Sequence, residues 1–449
     1  MHRIFEINSR LNEFIWGPVM IIAIVGVGIY LTVGTGLVQF REFSTVLKGT
    51  LFRKKKTGLE GDISPFAALS VALAGTVGVG NIAGVAAAIA LGGPGAIFWM
   101  WVSGLVGMAT KFAEVVLAIR YRTRQPQGPM LGGPMMYIEG GLGKNFKFLA
   151  IMFAVSGALA AFGIGNMTQA NSVAIGLEEF HIPRFFTGVL LVLAVGLVTV
   201  GGIKRIAHVV MFCVPFMCIV YLIGAVFLIV VNIYRLPDVL VLIFKSAFSP
   251  LAATGGFAGA GVKAAVRWGI ARGVFSNEAG LGSASIAHST AQTDHPVRQG
   301  LWGILEVFVD TIIVCSATAL AILITGVWKS GSTGSVLTMS AFQTVFGRQV
   351  GGSVVVLSMV LTAYDTMLAW GFYGETCSAY LFGAKARVVY RVLWLAPIML
   401  GSLGTLEAVW AFADTLNGLM AIPNLIALLF LGPVVFGLTK EFFKNYQTH

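Results

Sequence analysis

Apolar residues occupy most of this chain in long runs, and short polar or charged segments separate those runs. A helix that crosses a bilayer needs about 20 consecutive apolar residues. The pattern therefore predicts an all-α polytopic membrane protein with about 11 transmembrane helices. The predicted spans are residues 16–38, 66–90, 94–119, 147–172, 185–200, 206–232, 254–287, 299–327, 351–382, 388–404 and 408–437.

Composition strengthens this prediction. The chain is 57% hydrophobic and 11% charged, whereas a soluble domain contains about 25% charged residues. A soluble protein is thereby excluded, and we expect the lipid bilayer to surround most of the chain. The four cysteines lie in apolar segments and lack the spacing of a zinc site, so we expect no cofactor.

The formal net charge is +11, and in a membrane protein Lys and Arg report first on topology. If segment 39–65 is cytoplasmic, the connections on its side and the C-terminus hold 19 of the 30 Lys and Arg residues, and the opposite side holds 7. This predicts an N-terminus outside and a cytoplasmic C-terminus, with no nucleic-acid partner and no obligate protein partner. The basic run at 53–56 either enforces this topology or lies near anionic headgroups.

Two predicted spans are interrupted by glycine-rich segments. Residues 75–81 read Gly-Thr-Val-Gly-Val-Gly-Asn, and residues 277–283 read Asn-Glu-Ala-Gly-Leu-Gly-Ser about 200 residues later. Irregular backbone at membrane depth is tolerated where it is buried in protein or lines a cavity. Interrupted helices at matching places in two inverted halves indicate the binding site of a secondary transporter.

The interruptions divide the chain. Residues 1–65 are predicted to form one extra N-terminal helix and a cytoplasmic surface segment, and 438–449 a cytoplasmic tail. Residues 66–232 and 233–437 then contain five spans each, and two sets of five have opposite orientations. The sequence therefore predicts a five-plus-five inverted repeat.

A broken helix has unpaired N–H groups at one end, which attract a carboxylate, and unpaired C=O groups at the other, which attract a cation. One amino acid needs both. At the first interruption we expect the backbone of Gly78 and Gly80 to bind the carboxylate. Thr76 and Asn81 offer side-chain oxygens to the substrate or to an ion.

The second interruption contributes Phe275, Ser276 and Asn277, followed by Glu278. A carboxylate at membrane depth is costly and is usually functional or paired. Glu278 therefore has three possible roles: it coordinates a cation, it braces the break by accepting backbone N–H bonds, or it pairs with Arg272.

Other spans carry unexpected polar residues. Gln169 is one of three amides within six residues, with Asn166 and Asn171, and it either binds the substrate or bonds a neighbouring helix. Lys111 and Glu114 are three residues apart and can pair along one helix face.

Asp365 interrupts an apolar run between Thr362 and Thr366. A carboxylate beside hydroxyls suits a hard cation or a titrating proton. Trp370 either walls an apolar pocket or only packs. On span 299–327, the like-charged Glu306 and Asp310 need basic or polar partners elsewhere.

The strings at 75–84, 92–101, 272–282 and 414–424 resemble the alanine or glycine:cation symporter family, also called the sodium:alanine symporter family, over essentially the whole chain. The resemblance implies the leucine-transporter-like fold of the amino acid–polyamine–cation superfamily, preceded by one extra helix. It also implies sodium- or proton-driven uptake of a small neutral amino acid such as alanine or glycine. The expected location is the plasma (inner) membrane of a prokaryote.

Carried over by position, the resemblance places these residues at the substrate: Thr76, Gly78, Gly80, Asn81, Gln169, Phe275, Ser276, Asn277 and Trp370. It places the backbone of Ala74 and Val77, with hydroxyls of Thr362 and Thr366, at the cation, which is sodium. Asp365 departs from the family pattern, which usually has a small hydroxyl residue there. A proton is therefore the alternative coupling ion.

An enzyme is not expected, because the six histidines do not cluster in any span. A membrane-embedded amino-acid sensor is the less favoured alternative, because the connections between spans are short.

Overall fold

The computed structural model describes residues 2–51, 58–125, 128–249 and 261–446. The basic run at 53–56 and the start of the span predicted at 254–287 lie outside the described residues. Nearly all of the described chain is helical, and one short antiparallel pair joins β1 to β2. Up to residue 231 the elements are α1 (His2–Ile15), α2 (Pro18–Gly34), α3 (Val38–Arg41), α4 (Phe43–Leu51), α5 (Pro65–Thr76), α6 (Val85–Gly92), α7 (Ala96–Arg120), β1 (Thr123–Arg124), β2 (Met130–Leu131), α8 (Pro134–Tyr137), α9 (Lys147–Phe162), α10 (Thr168–Glu178), α11 (Arg184–Thr199) and α12 (Gly202–Val231).

The remaining α-helices follow a similar pattern of long and short segments. They are α13 (Leu236–Phe248), α14 (Val262–Asn277), α15 (Ala284–His288), α16 (Pro296–Val307), α17 (Ser316–Thr325), α18 (Gly334–Phe382), α19 (Ala386–Leu393), α20 (Leu395–Leu403) and α21 (Leu406–Tyr446). Four π-helical turns lie at Gly80–Gly84, Ile138–Leu142, Gly163–Met167 and Phe308–Cys315, and 3₁₀ turns lie at Lys144–Phe146, Ile233–Arg235 and Val327–Ser330.

Within the described ranges, seven helices are long and apolar enough to cross a membrane, and a bent pair formed by Pro65–Thr76 and Gly80–Gly92 makes an eighth. Two further apolar helices, α2 and α11, are shorter than 18 residues. The protein is therefore a helical membrane protein with several spanning helices.

Several helical segments lie outside the predicted spans. The three longest are α1, α13 and the part of α18 before Gly347, where φ of 77° and ψ of 166° break the helix. The pattern did not predict them because each is shorter than a span and has polar residues on one face. In α13 the apolar face buries Val239, Ile243 and Ala247.

The bundle has a buried centre and an apolar outside. Most side chains of α7 are buried, and α7 packs against α14 and α16. On α12, by contrast, Phe212, Phe216, Ile219 and Ile223 are exposed along one stripe. A stripe of this kind suits contact with acyl chains, because lipid is as apolar as these side chains.

Local sequence sets the start of α5, the first half of the interrupted helix. Ser64 is its N-cap, and its Oγ accepts a hydrogen bond of 3.2 Å from the N–H of Ala67. Pro65 follows at the first helical position, where its missing N–H costs nothing. From this start α5 runs inward between α12, α15 and α18 to the first interruption.

Candidate functional site

The first interruption is a bend of 47° between α5 and the helical segment that follows it. Two side-chain amides hold its free N–H groups. The N–H of Gly78 donates to Oδ1 of Asn81 at 2.9 Å, and the N–H of Val79 donates to Oε1 of Gln169 at 3.2 Å. Of the two backbone donors predicted for a carboxylate, that of Gly78 is thus bound by an amide oxygen, and so is the N–H of Val79, which was not predicted.

The second interruption follows α14 and consists of residues 278–283. Glu278 has a left-handed φ of 57°, and Gly280 and Gly282 have φ of 92° and 80°. Asn277 closes the end of α14, since its Oδ1 accepts from the N–H of Ala279 at 2.9 Å. Glycine at 280 and 282 is required because other residues rarely adopt these dihedral angles.

Asp310 joins the two interruptions. Its Oδ1 accepts from Nδ2 of Asn81 at 2.7 Å and from Oγ of Ser276 at 3.0 Å. Its Oδ2 accepts from Oγ1 of Thr311 at 2.8 Å. Asp310 lies in the π-helical turn Phe308–Cys315 and is fully buried. One carboxylate therefore connects the first interrupted helix, the second, and the helix that contains it.

Sequence reasoning did not place Asp310 at the site. It predicted only that Asp310 needs a polar or basic partner, and the partners are neutral donors. The available signal was an acid in an apolar span, which is also the signal that identified Asp365. The π-helical turn that directs Asp310 toward the interruptions has no recognisable pattern in the sequence.

The structure brings together two of the five predicted cation ligands, Ala74 and Thr366. Oγ1 of Thr366 donates to the carbonyl oxygen of Ala74 at 2.8 Å, three residues before Val77. Gly78 packs tightly here, because a Cβ at this position would lie 2.6 Å from Oγ1 of Thr366. The hydroxyl of Thr362 instead donates to Met359 within its own helix, at 3.1 Å.

Asp365 has an environment of its own. Its exposure is 0%, and neither carboxylate oxygen has a hydrogen-bond partner among the described residues. A buried unpartnered carboxylate is rare, because burying such a charge is expensive. Asp365 is therefore suited to exist as the neutral acid or beside a cation.

Glu278 bonds side chains rather than Arg272 or backbone N–H groups. Its Oε1 accepts from Nε1 of Trp370 at 2.8 Å, and its Oε2 accepts from Oγ of Ser283 at 2.5 Å. Arg272 makes a bidentate pair with Asp414, at 3.1 and 2.7 Å. Of the three roles open to Glu278, the geometry fits bracing, although through an indole and a hydroxyl.

Trp370 reaches Glu278 because the facing helix has a glycine. A Cβ on Gly165 would lie 2.1 Å from the Cβ of Trp370. Phe275 similarly packs against the first interruption, 3.3 Å from the position of a Cβ on Gly80. Both aromatic rings thus lie beside an interruption.

The remaining predicted residues also have partners within the protein. Thr76 donates to Ala72 at 3.2 Å in its own helix, and Nδ2 of Asn277 donates to Thr311 at 3.0 Å. Nε2 of Gln169 donates to Ile164 at 2.9 Å, so both ends of this amide are used. The polar side chains of these residues are therefore buried, and each is bonded within the protein.

A charged cluster lies behind the second interruption. Lys111 pairs with Glu306 at 3.1 Å rather than with Glu114, and His288 contacts the other oxygen of Glu306 at 2.9 Å. Oε1 of Glu114 accepts instead from the N–H of Gly280 at 2.9 Å. These contacts correct the pairing expected from spacing alone, because the partners lie on α16, which packs against α7, and on the second interruption.

The model of the sodium:alanine symporter family matches residues 1–449. The chain belongs to the sodium:alanine symporter family. It is 46% identical over 441 residues to the sodium/alanine symporter AgcS of Methanococcus maripaludis, covering 97% of this chain and 96% of that protein. The chain is therefore a transporter and not an enzyme.

Two relatives from Bacillus subtilis are more distant. The putative sodium/proton-dependent alanine carrier protein YrbD is 38% identical, over 94% of this chain and 89% of that protein. The probable sodium/glutamine symporter GlnT is 38% identical, over 99% of this chain and 92% of that protein. Both span essentially the same length as this chain.

The crystal structure of MhsT in complex with L-phenylalanine is similar with a TM-score of 0.59, at 14% identity, covering 85% of this chain and 99% of MhsT. This likeness shows the fold, which is that of leucine-transporter-like proteins. It confirms the leucine-transporter-like fold expected from the family resemblance, whereas the number of spans and the inverted repeat are still predictions.

Proposed function

We propose that the chain is a secondary active symporter that takes up a small neutral amino acid, alanine or glycine, together with sodium by alternating access. The observation that supports this best is the meeting of two interrupted helices at Asp310. Such a junction presents helix-end N–H groups, helix-end carbonyls and a carboxylate within one buried site. The sodium/alanine symporter AgcS, 46% identical, supports the same substrate and ion.

The architecture proposed with this function has eleven spans, with the N-terminus outside and the C-terminus in the cytoplasm of a prokaryote. Residues 66–232 and 233–437 form the inverted halves, with 1–65 as an added helix and surface segment and 438–449 as a tail. The presence of one interruption in the first predicted span of each half supports this division.

The substrate carboxylate would bind the N–H groups of the first interruption. Oxygens of Asn81 and Gln169 bind the N–H groups of Gly78 and Val79 in this structure, and the substrate carboxylate would take their place. Thr76, Ser276 and Asn277 would supply further polar contacts, with the backbone of Gly78 and Gly80. Phe275 and Trp370 would limit the volume of the substrate side chain.

Sodium would bind the carbonyls of Ala74 and Val77 with the hydroxyl of Thr366, because hard cations prefer oxygen ligands. Thr362 and Asp365 are the further ligands expected on α18. The negative charge of Asp310 would also stabilise a cation at the junction.

A second candidate is uptake of the same amino acids with protons through Asp365. The observation that favours it is the absence of any partner for either oxygen of Asp365 within the described residues. A carboxyl group in that environment can bind and release a proton when water reaches it. The name of YrbD includes both ions.

Uptake by purified protein in liposomes tests the function. We expect labelled alanine or glycine to accumulate when an inward sodium gradient is imposed at equal pH on both sides. An inward proton gradient without sodium tests the second candidate. Unlabelled alanine, glycine, serine and glutamine as competitors then rank the substrates. If neither gradient drives accumulation of any of these amino acids, the proposal is wrong.

A further inference from the structure

The segment after α7 contains an arginine that bonds three backbone carbonyls. Nη1 of Arg122 donates to Ser289 at 2.8 Å and to Ala291 at 2.6 Å, and Nη2 donates to Glu60 at 2.7 Å. A guanidinium is suited to this role, because its planar fork directs several N–H donors at fixed angles. Arg122 therefore ties two chain segments that are more than 220 residues apart in sequence.

These two segments also bond each other. The N–H of Asp62 donates to Thr290 at 2.7 Å, and the N–H of Gln292 donates to Ile63 at 2.8 Å. Their backbones are so close that a Cβ on Gly61 would lie 2.6 Å from the backbone of Ala291. The result is a short parallel bridge with Arg122 at its side.

Each segment leads directly into an interrupted helix. Residues 60–64 immediately precede α5, and residues 289–292 immediately follow α15, the short helix beyond the second interruption. The bridge is therefore located where the ends of both interrupted helices meet, on the same side of the bundle. Separation of these ends would open a path toward the interruptions from that side.

We propose that the bridge between residues 60–64 and 289–292 is a gate on that side of the bundle. Arg122 is a positioning residue that holds this gate closed until the two segments separate. The proposal rests on the alternating access proposed above. Arg122 acts through the two segments and does not contact the substrate or ion site.

The chemistry of the contact suits a gate that must also open. The acceptors are neutral carbonyls and Arg122 is only half-buried, so water can replace each bond when the segments separate. The Lys111–Glu306 pair differs, because both side chains are 0% exposed and separation would leave a buried charge unpaired. Arg122 is therefore a reversible contact, whereas Lys111 and Glu306 form a permanent one.

Hydrogen exchange at the bridge tests this directly. In Arg122→Gln we expect the amides of Asp62 and Gln292 to exchange about fivefold to tenfold faster than in the parent, since two to three hydrogen bonds are lost. In Arg122→Lys, where one ammonium replaces the planar fork, we expect exchange rates between those of the parent and of Arg122→Gln. Arg124→Gln is the matched control, because Arg124 is mostly exposed and only approaches Glu60 at 4.0 Å. In this variant we expect the amides of Asp62 and Gln292 to exchange at the rates of the parent.

Labelling from each side separates a gate from a general loss of stability. Cys315 is buried and lies 3.3 Å from Asn81 and Ser276, so it reports on access to the interruptions once the other three cysteines are replaced by alanine. We expect Arg122→Gln to speed labelling of Cys315 by an impermeant maleimide only from the side of Arg122. Faster labelling from both sides would indicate general loosening and would contradict the proposal.

The outcomes also distinguish this proposal from the proposed function. Parent-like exchange and labelling in Arg122→Gln, with sodium-driven uptake intact in the parent, would overturn the gate and leave the symporter unaffected. Absence of gradient-driven uptake in the parent would overturn the symporter and the gate with it. If Arg122→Gln does not give a monodisperse protein, Arg122→Lys provides the same comparison.

Discussion

Asn81 and Ser276 lie on different interrupted helices, and both donate to the same oxygen, Oδ1 of Asp310, at 2.7 and 3.0 Å. This shared acceptor means that movement of one interrupted helix relative to the other must change the bonding of Asp310. Binding of a cation near the carboxylate would change it too. The junction is therefore where ion binding and helix movement would be coupled.

Asp310→Asn tests this coupling, because it keeps the shape of the side chain and removes the charge. We expect the sodium concentration for half-maximal uptake to rise about tenfold or more, corresponding to roughly 1.4 kcal/mol of lost binding free energy. Sodium-dependence curves in liposomes measure it. Asp238→Asn is the matched control, because Asp238 is an exposed acid in the first turn of α13. An unchanged sodium-dependence curve for Asp310→Asn would exclude Asp310 from the ion site.

Asp365→Ser separates the two coupling ions. Because serine keeps an oxygen that can bind sodium but has no proton that titrates, we expect this variant to retain sodium-driven uptake and to lose any stimulation by an inward proton gradient. Uptake with each gradient imposed alone is the measurement. If sodium-driven uptake disappears while the protein remains folded, Asp365 belongs to the sodium site, and if both dependences are unchanged it belongs to neither.

Gly165→Ala should displace Trp370, since the added Cβ would lie 2.1 Å from the Cβ of Trp370. Overpacking of this kind costs typically about 1–3 kcal/mol. We expect a lower temperature of thermal unfolding and reduced uptake, because the bond between Trp370 and Glu278 would also be lost. Gly437→Ala is the control, since nothing lies within 4 Å of its Cβ position. Equal stability of the two variants would contradict the close packing of Trp370.

Trp370→Phe tests whether this indole limits substrate size. The smaller ring would enlarge the space beside the interruptions, so we expect larger neutral amino acids to compete with labelled alanine at concentrations about tenfold lower than in the parent. Competition assays with leucine and glutamine measure the change. Trp394→Phe, at a second buried tryptophan, is the control and should leave the competition profile unchanged. An unchanged profile for Trp370→Phe would exclude Trp370 from the substrate pocket.

Local patterns were sufficient for much of the fold. The apolar runs identified a helical membrane protein, and the glycine clusters identified both interruptions, since a run of apolar residues and a lack of helix formers are local properties. The strings around them were sufficient to predict the family, which the comparison confirms. The helices α1 and α13 were missed because each is too short to span a bilayer and has polar residues on one face.

The partners of the charged residues could not be predicted in this way. Spacing suggested that Lys111 pairs with Glu114, yet its partner is Glu306, 195 residues away. Glu278 had three possible roles in the sequence, and its contacts with Trp370 and Ser283 depend on how α18 packs against the second interruption. The assigned substrate and ion ligands are still predictions, which the variants above test.

The sequence by itself determined that this chain is a membrane transporter of the sodium:alanine symporter family with two interrupted helices, because hydrophobicity, glycine content and family motifs can be recognised along the chain. Only the tertiary structure decided that the interruptions meet at Asp310 and that Arg122 joins residues 60–64, before α5, to residues 289–292, after α15. Asn81 and Asp310 are 229 residues apart, and a contact over that distance depends on the packing of several helices. No periodicity within one helix specifies which polar group on another helix will face it.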